Sequence, residues 1–260
     1  KIINPLGKDF SNMRQSLIYN SIEVIAYNLN RQNNSLKLFE LGKIYGKHNN
    51  KYLEERRLCI SIAGEVFQMN WNIQQSPDTF FYGKGLIIDL FETFGYNNVN
   101  FDNVDHPDFD FACEISSQNV ILGYYGLISM KKREKYNVAK EIYLADINWS
   151  RFIENCFTNP TYFKDLPKFP SIKRDFALLL NQEITFSEIE EISLKTERKI
   201  LKSVELFDVY EGDNLPAGKK SYGVSFYFQD KNKTLTDKQV EKIMKKLEKN
   251  FVENFNAELR

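Results

Sequence analysis

KKSYGVSFYFQ, residues 219–229, alternates large apolar side chains with small or polar ones. Successive side chains of an extended chain point to opposite faces. Tyr222, Val224, Phe226 and Phe228 therefore fall on a side that needs cover, and Ser221, Gly223, Ser225 and Tyr227 on a side that can stay open. Working outward, RDFALLL (174–180) and SVELFDVY (203–210) read as strands, the second stopping at Glu211, Gly212 and Asp213. TFSE (185–188) and TDKQ (236–239) fit capping boxes, each opening a helix. The second helix carries Val240, Ile243, Met244, Leu247 and Phe251, an apolar stripe of the width that packs on a sheet. Residues 258–260 read as a last short strand. Strand, helix, strand, strand, helix, strand is the ferredoxin-like βαββαβ pattern.

Upstream the chain is mixed. Residues 13–30 and 80–94 repeat apolar positions at helical spacing, the second helix ending at Gly95 in a C-cap position. Residues 36–45, 57–63, 120–128 and 141–147 read as strands. Helices interleaved with mostly antiparallel strands define an α+β sheet domain. Between them, residues 155–169 hold Pro160 and Pro167 and no sustained period, which reads as a linker. The expected domains are 1–160 and 167–260. The chain opens on Lys1 within KIINPLGKDF, as a piece of a longer chain would; a processed start is the alternative.

Composition sets limits. Of 260 residues, 42% are hydrophobic and 14% aromatic, enough to build cores. Lys and Arg number 35 against 35 Asp and Glu, so bulk charge does not drive the chain onto nucleic acid or membrane, though a local basic rim remains possible. Cys59, Cys113 and Cys156 are far apart and neither His48 nor His106 stands at metal-ligand spacing from them, so reduced thiols in a cytoplasmic protein and no metal site are expected. No apolar run is long enough to span a membrane.

The open face offers a binding surface. Ser221, Gly223, Ser225 and Ala177 leave a shallow platform for a flat ring, and Asp175 can accept hydrogen bonds from a base edge. Lys168, Lys173, Arg174, Lys219, Lys220 and Arg260 lie near strand ends, where they either grip phosphates or simply solvate the sheet edge. No catalytic residue emerges. His106-Pro107-Asp108 is a lone His in an expected loop, and Asp102, Asp105, Asp108 and Asp110 form an acidic loop without the Gly and closing Glu of an EF-hand. Gly83-Lys84-Gly85 lacks the Ser or Thr of a phosphate loop.

The same residues carry a resemblance. FPSIKRDFALLL (169–180), LFDVYEG (206–212), GKKSYGVSFYFQ (218–229), KTLTD (233–237) and AELR (257–260) resemble, in order, the ferredoxin-fold anticodon-binding domain that ends the beta chain of bacterial phenylalanyl-tRNA synthetase. NPLGKDFSNMRQSL (4–17), LFELGKIY (38–45) and FFYGKGLIIDLF (80–91) are similar to the same family's catalytic-like domain. The resemblance implies a class II synthetase-like antiparallel sheet that has lost its chemistry, followed by a tRNA-binding domain. It implies an alpha-chain partner holding the active site in an (αβ)2 heterotetramer, and tRNA specific for phenylalanine as ligand. ATP and magnesium are then required by the whole enzyme and by nothing in this chain; the family's editing domain and beta-chain magnesium site lie in upstream modules absent from this sequence. HPDFDFA (106–112) and GLISMKK (126–132) depart from the family's HPGRSA-like and GELHP-like stretches, so no role is assigned there. Arg14 has no FRxE context and no GxGxxR run follows, so the arginines a class II site sets against ATP are missing. Two other readings stay open: another RNA-binding or ligand-sensing protein with a ferredoxin-like domain, and a stand-alone class II ligase.

Overall fold

The computed structural model describes residues 4, 12–67, 71, 79–96, 98–156, 163, 165–212 and 214–259, with only the backbone of His48. Arg260, Asp213 and most of the segment opening KIINPLGKDF lie outside the described residues, as do 157–162 and 164 of the expected linker. The chain divides into two compact units, Lys1–Tyr162 and Phe163–Arg260.

In the first unit the described residues form α1 (Ile18–Leu29), β1 (Ser35–His48), β2 (Lys51–Gly64), α2 (Thr79–Thr93), β3 (Asn100–Val104), β4 (Phe109–Ser117), β5 (Val120–Ile128), α3 (Met130–Lys135), β6 (Ile142–Asn148) and α4 (Trp149–Cys156). The strands make one antiparallel sheet in the order β1-β2-β6-β5-β4-β3. Two cores flank it. Ile142 and Leu144 of β6 pack with Ile18, Ile22 and Ile25 of α1, whereas Ala145 and Ile147 pack with Ile87 and Phe91 of α2 and Phe152 of α4. A central strand covered by helices on both faces is buried along nearly its whole length, as β6 is.

Three expectations need correction here. The acidic stretch is not one loop: Asp102 lies in β3 and Asp110 in β4, paired strands whose aspartates take the solvent-facing positions. The linker does not begin at Asn155, because α4 runs to Cys156 with Trp149, Phe152, Ile153 and Cys156 at helical spacing and Phe152 fully buried. Helix α1 starts at Ile18 rather than at residue 13.

The second unit contains β7 (Ile172–Asn181), α5 (Phe186–Thr196), β8 (Leu201–Tyr210), β9 (Lys219–Phe228), α6 (Asp237–Phe255) and β10 (Glu258–Leu259). Its sheet has the order β10-β7-β9-β8, the ferredoxin-like arrangement. Both helices begin on capping boxes. Glu188 Oε2 accepts from Thr185 N at 2.7 Å, and Gln239 Oε1 accepts from Thr236 N at 3.1 Å. Helix α6 ends on Asn256 in the left-handed region (φ 51°). Tyr222, Val224, Phe226 and Phe228 join Leu178, Leu180, Val240, Leu247 and Phe251 in one core. Among the described residues, α5 and α6 pack on one face of this sheet.

Candidate nucleic-acid interface

Register fixes what the other face presents. On β7 and β9, Asp175 stands opposite Ser225, Ala177 opposite Gly223 and Leu179 opposite Ser221. On β8, Glu205 faces Ser225, Asp208 faces Gly223 and Tyr210 faces Ser221. Ala177, Ser221, Gly223 and Ser225 therefore share the side away from the core, as their parity implies.

That platform is not bare. The β8–β9 register shifts between Leu206 and Asp208, leaving Phe207 as an extra residue. Its ring lies on the backbone of Gly223, where an added Cβ would meet two ring carbons at 2.8 Å. Phe207 remains 59% exposed and Tyr210 41%, so both rings offer surface to a ligand. Strict alternation from Val204 and Leu206 puts Phe207 on this side but sends Asp208 and Tyr210 to the helix side; the bulge turns these two over.

The cations sort differently from their placement at strand ends. Lys220 shares the parity of Tyr222 and is 7% exposed on the helix side, its ammonium 4.6 Å from the Tyr222 ring centroid. Arg174 shares the parity of Phe176 and pairs with Asp237 in the first turn of α6 at 2.5 Å. Neither rims the open face. Lys219 does, but Glu258 neutralises it at 3.2 Å. Lys168 is exposed just before β7, and Lys173 lies 3.8 Å from Asp175 with its ammonium near the Phe207 and Tyr227 rings. Arg260 lies outside the described residues.

In the first unit, polar groups are committed to one another. Arg57 donates to both Asp146 carboxylate oxygens, at 3.1 and 2.6 Å, between two largely buried side chains. Burial acts against the Arg57 charge, yet the hydrogen bonds and attraction from Asp146 outweigh it and hold the guanidinium's pKa above its usual value. Arg133 donates to the carbonyls of Ile128 and Lys140, and Arg14 pairs with Glu40. The His106 ring packs on Phe109 and Tyr124, with its Nδ1 accepting from Asp108 N. Gly83 and Lys84 lie inside α2, Gly83 because the Tyr125 hydroxyl leaves no room for a Cβ. Burial pushes the Cys59 thiol up to about 12, which makes it a core residue and a poor nucleophile. Among the described residues, no group of three or more His, Cys, Asp or Glu side chains is placed to hold a metal ion, and no helix is long and apolar enough to cross a membrane.

The family models that match the two units make this a chain of the aminoacyl-tRNA synthetase class, the second, ferredoxin-like unit being of the anticodon-binding type. Residues 1–149 match the phenylalanyl tRNA synthetase beta chain CLM domain and residues 167–260 the ferredoxin-fold anticodon binding domain. The chain belongs to the phenylalanyl-tRNA synthetase beta chain family. It is 36% identical over 271 residues to the phenylalanine–tRNA ligase beta subunit of Bacteroides fragilis, covering 100% of this chain and 33% of that protein. The counterpart from Bacteroides thetaiotaomicron is 37% identical with the same coverage, and that from Clostridium acetobutylicum 36% identical, with 100% of this chain and 32% of that protein covered. The chain thus spans about a third of the length of the curated relatives it matches. Among solved structures, pyrrolysyl-tRNA synthetase from Desulfitobacterium hafniense superposes with a TM-score of 0.44 at 12% identity, over 56% of this chain and 50% of that one.

Proposed function

We propose that this chain reads the anticodon of tRNA specific for phenylalanine and scaffolds the alpha chain that charges it. The observation that carries the reading is the sheet face of the second unit that is turned away from its helices. Ala177 and Ser221 are small enough to admit a flat base, the Asp208 carboxylate opposite Gly223 accepts from a base edge, and Tyr210 opposite Ser221 supplies a ring. Stacking and hydrogen bonding on exposed rings is how proteins distinguish unpaired bases. Lys168, exposed just before β7, is a cation available to a neighbouring phosphate; Lys219 reaches one by exchanging its ion pair with Glu258.

The chain itself performs no catalysis on this reading. Activating a carboxylate with ATP requires free positive charge against the transferring phosphate, and Arg14, Arg57 and Arg133 are already engaged by Glu40, Asp146 and backbone carbonyls. ATP and magnesium serve the alpha chain's active site, in an (αβ)2 heterotetramer working in the cytoplasm. Co-expression with a cognate alpha chain, pull-down and a charging assay test this. Co-purification with charging supports the proposal. ATP–pyrophosphate exchange by the isolated chain, tracking the pure protein, contradicts it.

A further inference from the structure

Ser225 combines two properties that rarely coexist. It is fully buried, and among the described residues its Oγ is the buried side-chain nitrogen or oxygen without a hydrogen-bond partner. Leaving such a group unmade costs stability, so it calls for a physical reason. Its place in the sheet supplies one. Ser225 faces away from the helices, between Asp175 on β7 and Glu205 on β8, with Gly223 and Tyr227 next on its own strand. Lys173 stands over this corner, 5.6 Å from the Phe207 ring centroid, 5.8 Å from that of Tyr227 and 3.8 Å from the Asp175 carboxylate. The side chains around it reach solvent: those of Lys173 and Asp175 are 49% and 50% exposed, and Phe207 is 59% exposed.

We propose that this corner of the sheet is a second nucleotide subsite, holding the base next to the one read at Ala177, Ser221 and Tyr210. The inference rests on the anticodon reading above and extends it. The Phe207 ring is seated on Gly223 and 59% exposed, and it takes a stacked base once the Lys173 ammonium, 5.6 Å from its centroid, moves aside. As that base enters, Lys173 leaves Asp175 for the nucleotide's phosphate. Asp175 and the Ser225 hydroxyl then meet the polar edge of the base, and the hydroxyl gains the partner it lacks. A single-stranded RNA supplies all three groups together: a π face, a hydrogen-bonding edge and a phosphate within one nucleotide.

The test uses the full chain and an RNA hairpin bearing the anticodon loop of tRNA specific for phenylalanine, with 2-aminopurine placed at each loop position in turn. Stacking on a ring quenches that probe. Phe207→Leu is expected to weaken binding about tenfold and to abolish quenching at one position, while Tyr210→Leu abolishes it at a different one. Ser225→Ala is expected to weaken binding severalfold yet melt no lower than wild type, because it deletes an unpaired buried hydroxyl; a merely structural Ser225 would leave binding unchanged. Wild-type binding that survives both Phe207→Leu and Ser225→Ala overturns the subsite alone. Loss of the same position from Phe207→Leu and Tyr210→Leu also overturns it, since one subsite then accounts for both rings. A wild-type chain that does not bind the hairpin overturns the anticodon reading, and the subsite with it.

Discussion

The ring of Phe207 rests on the backbone of Gly223, close enough that a Cβ at 223 would meet its carbons at 2.8 Å. The absence of a side chain at 223 is thus what seats an aromatic ring on the open face. Gly223→Ala should push the ring off that seat at a cost of about 1 kcal/mol, the low end for overpacking because an exposed ring is free to swing outward. Gly223→Leu should displace it fully and reduce discrimination among anticodons while the protein stays folded. Urea denaturation, followed by binding to wild-type and anticodon-altered hairpins, checks both.

Lys168 and Lys220 should behave oppositely, although both were expected at the rim. Lys168→Ala should weaken every RNA alike and lower the slope of log affinity against log salt by about 0.7–1, the signature of one lost phosphate contact. Lys220 is buried on the helix side against Tyr222. Lys220→Ala should therefore lower the melting temperature through lost packing of its methylene stem and leave the salt slope unchanged. A salt titration of the two variants separates them.

The capping box of α5 predicts a pH dependence. The Thr185 backbone N–H donates to Glu188 first, and its hydroxyl second, holding the Glu188 carboxyl below its usual 4.5. A depressed carboxyl stabilises the fold above its unfolded pKa, and that contribution is lost as pH falls through the folded value. Glu188→Ala should accordingly cost about 0.5 kcal/mol at neutral pH, modest for a cap because the group is solvent-screened. The gap between variant and wild type should narrow as pH falls below 4.5. Thermal melts across pH 3–7 give the comparison.

Much of this was legible in the sequence because burial obeys simple periods. The alternation at Tyr222, Val224, Phe226 and Phe228 and the two capping boxes located the second unit's core and helix starts. The same parity assigns Lys220 and Arg174 to the helix side, but reading charge as a strand-end feature obscured it. Asp208 and Tyr210 were hidden for a different reason: alternation from Val204 and Leu206 sends them to the helix side, and the bulge after Leu206 turns them to the open one without altering composition. In the first unit, β3 and β4 were masked by their aspartates, which on strands near a sheet edge point to solvent. Helix α4 was masked by its position directly after a strand and before prolines.

The central claim is that the open sheet face of the second unit reads the anticodon. Ala177→Leu tests it most directly, because it fills the face opposite Gly223 without touching the helix-side core. The measurement is the ratio of kcat/KM for charging wild-type tRNA to that for an anticodon-altered tRNA, in the reconstituted alpha–beta enzyme, alongside ATP–pyrophosphate exchange. The account predicts that Ala177→Leu brings the ratio close to one while exchange stays at the wild-type rate. A folded Ala177→Leu enzyme that keeps the full wild-type preference for the phenylalanine anticodon would contradict it.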